Sequence, residues 1–165
     1  MDGAFFNLGY DMLYLSTARS MARFGILMQA EGEWDGEAIL KDQEYFHQMI
    51  NTSQPYNKSY GYLWWLNGKE SFMMPGLQYT FEGSICPNAP GDMYAALGKN
   101  GQFLNISPSN GLVMVRMGDA PGEGEVPVLF CDSIWSYIND IICAPANILN
   151  SPKRNHEVYA TYSPG

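Results

Sequence analysis

The stretch 98-GKNGQFLNISPSNGLVMVRMGD-119 decides how the rest of the chain is read. Two apolar runs, 102-QFLNIS-107 and 112-LVMVRM-117, flank 108-PSNG-111, and a turn of proline, serine, asparagine and glycine between them predicts a tight hairpin. Residues 112–115 are apolar without alternation, so both faces of that strand are expected to be covered, which implies helices on each side of the sheet. Just before the hairpin, 93-MYAALG-98 reads as a further strand, and Lys99-Asn100-Gly101 stands at the head of the strand that follows it. A lysine is out of place at the edge of a buried sheet unless its charge faces a pocket.

Working outward, residues 17–32 have the period of a helix, with Met21, Phe24, Gly25 and Met28 on one face and Arg19 and Arg23 on another. Ser16 or Thr17 can cap it and Gly32 can end it. A turn follows with Asp35-Gly36 at its tip, then a shorter helix over 42–51 whose buried stripe is Tyr45, Phe46, Met49 and Ile50, with Asp42 as cap. The aromatic run 60-YGYLWWL-66 reads as a strand, which puts Trp64 and Trp65 on opposite faces: one in the core, the other free to line a cleft. Residues 67–92 show no period and read as a long loop. A helix over about 126–142 carries Cys131, Ile134, Trp135, Ile138 and Ile142 as its stripe. The expected fold class is α/β (α+β), an antiparallel sheet covered by helices in three layers. It occupies residues 1–143, and 144–165 form a polar, proline-punctuated, extended tail.

Composition narrows the function. A chain of 165 residues that is 46% hydrophobic can bury a real core, and a net charge of −8 opposes phosphate backbones, so no nucleic acid is expected as partner. No apolar run approaches the ~20 residues needed to span a bilayer, so no transmembrane segment is expected. Three cysteines and two histidines follow no metal-ligand spacing, and neither a metal nor a cofactor is implied. Cys131 falls on a core stripe, while Cys86 and Cys143 either pair or remain free thiols.

In order and in wording, three segments resemble the C-terminal half of the serine beta-lactamase and penicillin-binding-protein-like superfamily, in its class C and esterase-type branch. They are 16-STARSMARFGILMQAEGEWDGEAIL-40, 60-YGYLWWL-66 and 98-GKNGQFLNISPSNGLVMVRMGD-119. The resemblance implies the C-terminal part of a beta-lactamase/transpeptidase-like fold. It likens Lys99-Asn100-Gly101 to the family's Lys-Thr-Gly or His-x-Gly element on the strand that walls the active site. There the Lys99 ammonium would hold a substrate carboxylate and polarise the proton relay, and Gly101 would let substrate approach the backbone. Asn100 would contact the substrate carboxylate, the backbone N–H of Gln102 would donate to the oxyanion, and Trp64 would bind substrate. Asn100 departs from the commoner threonine or histidine.

The family's nucleophile lies in Ser-x-x-Lys, where lysine removes the serine proton. No serine of this chain has lysine three positions on; Ser16, Ser20 and Ser151 are followed there by Arg19, Arg23 and Arg154, and arginine stays protonated. Tyr137-Ile138-Asn139 matches the family's Tyr-x-Asn only as a string on the C-terminal helix. The expectation is therefore a fragment: the C-terminal segment of a serine hydrolase of beta-lactamase, esterase or peptidase class, acting through an acyl-enzyme, inactive by itself. Its partners would be a small-molecule ester or amide or a cell-wall peptide as substrate, and the N-terminal half of the same domain or a second copy. The resemblance implies a periplasmic or exported setting. The alternative is a non-catalytic binding or scaffold module of the same fold.

Overall fold

A computed structural model describes residues 2–9, 12–121 and 126–142 of the chain. In chain order its elements are a hairpin of β1 (Gly3–Asn7) and β2 (Met12–Ser16), helix α1 (Ala18–Gln29), a short hairpin of β3 (Glu33–Trp34) and β4 (Glu37–Ala38), and helix α2 (Gln43–Met49). Strand β5 (Trp65–Leu66) follows, then the hairpin β6 (Ser71–Met73) and β7 (Thr80–Glu82), strands β8 (Tyr94–Leu97), β9 (Phe103–Ser107) and β10 (Leu112–Arg116), and helix α3 (Val128–Ile142). The fold is α+β, with a central antiparallel sheet in the order β10-β9-β8-β5. No helix among the described residues is long and apolar enough to cross a membrane.

Two cores sandwich this sheet because its strands are apolar on both faces. Along β8 to β10, Ala95, Leu97, Phe103, Leu112 and Met114 point to one core, while Tyr94, Leu104, Ile106, Val113 and Val115 point to the other. The first is closed by α3, whose Cys131 and Trp135 are fully buried, with Ile134 and Ile138 packed beside them. The second is closed by α1 and α2 through Met28, Phe46 and Met49. A Cβ at Gly25 would come within 2.4 Å of Val113 Cγ1 and 2.8 Å of Leu104 Cδ1, so the absence of a side chain is what lets α1 lie this close to β9 and β10. The expected layers, helix on sheet on helix, are present.

Local signals hold where they act over a few residues. Thr17 caps α1 by accepting from the N–H of Ser20, and Asp42 caps α2 by accepting from Tyr45. Asp35 and Gly36 both have positive φ (52° and 76°), which makes the β3–β4 connection a mirror-image turn of the hairpin type. The α2 stripe is narrower than its pattern: Phe46 and Met49 are buried and Ile50 half-buried, but Tyr45 is exposed, with its ring 5.9 Å from that of Tyr62.

Two expectations need correction. Residues 60–66 are not one strand, because Gly61 donates to the Trp64 carbonyl and Leu63 has φ 64°, closing a tight turn that leaves only Trp65 and Leu66 in the sheet. Residues 67–92 are not featureless. They contain the β6–β7 hairpin, with Phe72 and Phe81 stacked at 5.2 Å, and a return segment organised by the buried Asn67 side chain. That amide donates to the carbonyls of Cys86 (2.9 Å) and Pro90 (3.0 Å) and accepts from the Cys86 N–H (3.0 Å). The N-terminal residues, to which no element was assigned from the sequence, form the β1–β2 ribbon, tied to α1 through the Asp2 N–H and Ser20 Oγ at 3.0 Å.

Of the two states the sequence leaves open for Cys86, the structure has the free thiol. Cys86 is buried and meets Cys131, whose side-chain hydrogen bond, together with burial, pushes the Cys86 thiol pKa up; both are free thiols. Cys143 and the tail expected over 144–165 lie outside the described residues.

Candidate active-site cleft

The site suggested by Lys99-Asn100-Gly101 is a turn at one end of the central sheet. Leu97 and Phe103 form the last residue pair of β8 and β9, and the Gly98 N–H donates to the Gln102 carbonyl at 2.7 Å. Between them Lys99–Gly101 make one 3₁₀ turn in which Asn100 (φ 60°, ψ 20°) and Gly101 (φ 81°) are both left-handed. Asparagine and glycine are the residue types that accept this backbone at least cost. The triplet is thus the connection of a hairpin, and the strand it was expected to head begins at Phe103. Asn-Gly between two apolar runs is itself a hairpin signal, and it outranks the extended reading because left-handed residues cannot continue a strand.

Gly101 answers to a second constraint. It is buried, and a Cβ there would come within 2.8 Å of Arg116 Nη1 and 2.9 Å of Ala120 Cβ. Arg116, the last residue of β10, is the hub of this end of the molecule. Its guanidinium donates to the Gly101 carbonyl at 2.9 Å, more weakly to Asn100 at 3.4 Å, and to the carbonyls of Gly118 and Asp119. It also lies 5.0 Å from the centroid of the Phe130 ring on α3. Gln102 adds a second tie, donating from Nε2 to the Gly118 carbonyl (2.8 Å) and accepting from the Gly118 N–H (3.1 Å). Several charge-assisted bonds from one guanidinium make this turn a fixed feature. Arg116 was not singled out from the sequence, although a lone arginine closing the apolar run LVMV was the available signal.

Next to the turn is a cleft of about 350 Å³, within the range of small-molecule sites. Gly98, Gln102 and Arg116 line one end, and Tyr60, Leu63 and Trp65 line its apolar wall. Trp65 packs edge-on against Tyr60 at 4.9 Å, and burial raises the Tyr60 phenol above its ordinary pKa, keeping it a neutral hydrogen-bond donor. Trp64 is on the opposite face, only 5% exposed, between Phe24 and Tyr94 in the α1-side core. Of the residues expected at the site, Gln102 therefore lines the cleft. Lys99 and Asn100 are exposed at the tip of the turn beside it, Gly101 is buried beneath the turn, and the tryptophan on the cleft wall is Trp65.

Among the described residues, no serine, cysteine or histidine lines this cleft, and no group of three His, Cys, Asp or Glu side chains could hold a metal ion. Its chemistry is that of a binding wall: apolar and aromatic surface for a ligand's body, with Gln102 and the Arg116 charge among the lining. The chain matches no protein-family model and no curated protein sequence.

Proposed function

We propose that this chain forms one wall of the active site of a penicillin-recognising-type serine hydrolase that cleaves an ester or amide through an acyl-enzyme. The observation that carries the reading is the turn 98–102 at the rim of an aromatic-walled cleft, locked from behind by Arg116, since catalytic donors must be held rigid before charge develops on the substrate. In this role the Lys99 ammonium, exposed on the rim, holds a substrate carboxylate and polarises the proton relay. Asn100 contacts the same carboxylate. Gly101, buried against Arg116 and Ala120, lets the turn close this tightly, and the Gln102 N–H donates to the oxyanion, an interaction of roughly 3 kcal/mol in the transition state. Trp65 takes the substrate-facing position. The nucleophile and its base come from outside these residues, because no Ser-x-x-Lys occurs among them.

The test is the intact mass of the chain after incubation with a fluorophosphonate serine probe, alone and co-expressed with the segment encoded upstream. The expected result is an adduct on the upstream segment only, abolished when Lys99 and Gly101 are replaced. An adduct on this chain would make one of its own serines the nucleophile and overturn the split site. No adduct in either sample would favour a binding module without turnover.

A further inference from the structure

A neighbouring cavity adjoins the cleft beside the turn. This second cavity of about 390 Å³, bounded by the β1–β2 ribbon and α1, shares Tyr14 and Met21 with the cleft as common walls. The two spaces adjoin at these side chains, and their walls are mainly apolar and aromatic. Leu63, which lines the cleft, is a large apolar residue that is 82% exposed and held at φ 64°. Left-handed backbone costs a branched residue roughly 1–2 kcal/mol, and exposure of its side chain recovers none of that, so the strain is unrepaid by folding contacts. Arg116 is the one charged side chain lining the space among the described residues, in a chain whose net charge is −8. The guanidinium spends its Nη hydrogen bonds on the turn carbonyls but keeps its charge, so the space pairs one positive charge with a long apolar wall, which complements an anionic head on an apolar tail.

We infer that this space is an acyl subsite, taking the chain of a medium-chain carboxylic ester. The carboxyl carbon lies at the Gln102 and Arg116 end, and the tail runs past Trp65 and Leu63 toward Tyr14 and Met21. Cleavage of such an ester by water yields the alcohol and the acyl carboxylate, and the carboxylate occupies the same subsite as product. The ester assignment rests on the hydrolase reading above; the binding of the acyl carboxylate does not.

The experiment titrates the 165-residue chain with the saturated carboxylates from butyrate to decanoate, below their micelle concentrations, following tryptophan fluorescence. Each added methylene is expected to lower Kd about fourfold until the space is filled. Leu63→Ser is expected to weaken decanoate binding about tenfold, as loss of one apolar wall residue does. Leu129→Ser, at a site 81% exposed on α3 and away from the cleft, should leave it unchanged. Both variants are first shown to melt like the parent chain. A Kd independent of chain length, or equal effects of the two substitutions, would overturn the subsite. Decanol binding as tightly as decanoate at low salt would overturn the assigned direction of the tail. Chain-length dependence without any fluorophosphonate adduct would sink the hydrolase reading and keep the subsite, whereas an adduct with flat binding would do the reverse.

Discussion

Two hairpins of this protein, each built of two five-residue strands, look alike as sequences and fare oppositely in the fold. GAFFN and MLYLS pair in full antiparallel register as β1 and β2, and FLNIS and LVMVR do the same as β9 and β10. Yet Phe5 is 69% exposed and Phe103 only 2%. Pairing is local and both hairpins achieve it; cover is not, and only β9 and β10 receive a helix on each face. A lone two-stranded ribbon is marginal in water, and an apolar one invites a partner. The ribbon is therefore where this chain offers apolar surface, and the sheet is where it uses that surface for stability.

The strongest way to break this comparison is Phe103→Ala, which should destabilise the protein by about 3–5 kcal/mol in urea unfolding because the ring leaves a cavity between β9 and α3. A loss below about 1 kcal/mol would mean that the α3 side is not a packed core. Next, Gly25→Val should cost about 1–3 kcal/mol by forcing α1 off β10, and Val113→Ala in the same chain should restore part of it. Failure of that rescue would separate the helix from the sheet.

A smaller effect is expected at Tyr94, whose hydroxyl donates to the Met28 carbonyl at 2.8 Å. Tyr94→Phe should cost about 1 kcal/mol at neutral pH. Burial, with a lesser contribution from the Glu31 charge, holds this phenol above its ordinary pKa of 10.0. The unfolded chain then gives up the proton first, so stability is fully present below pH 10.0 and falls as the pH rises beyond it. Chemical unfolding between pH 8 and 11 should show that fall in the parent and a shallower one in Tyr94→Phe; parallel curves would move the burden to other groups. Smallest of all, Phe5→Ser should change stability by no more than about 0.5 kcal/mol. A cost comparable to Phe103→Ala would show that the ribbon is covered in solution, and the comparison would collapse.

Much of the sheet was legible. The unalternating run 112–115 called for cover on both faces because a strand apolar on each side has no face to spare for water, and α1 and α3 supply it. Caps at Thr17 and Asp42 and the turn at Asp35-Gly36 were legible for a related reason: each is decided by hydrogen bonds and φ angles within four residues. The candidate site was only partly legible. Gln102 lines the cleft, but Lys99-Asn100-Gly101 was read as extended because its neighbours are strand-like, while the backbone of Asn100 and Gly101 makes a turn.

What the sequence by itself determined is therefore the class of the three helices and of the strands β8 to β10, and the demand for two covered faces, since periodicity and capping are written in adjacent residues. Only the tertiary structure decided that Trp65 and not Trp64 faces the cleft, that Asn67 ties down the segment at Cys86 and Pro90, and that Arg116 locks the turn sixteen residues before it at Asn100. These are contacts between residues far apart in the chain. They are chosen by which surfaces meet when the sheet closes between its helices, and no local pattern records them.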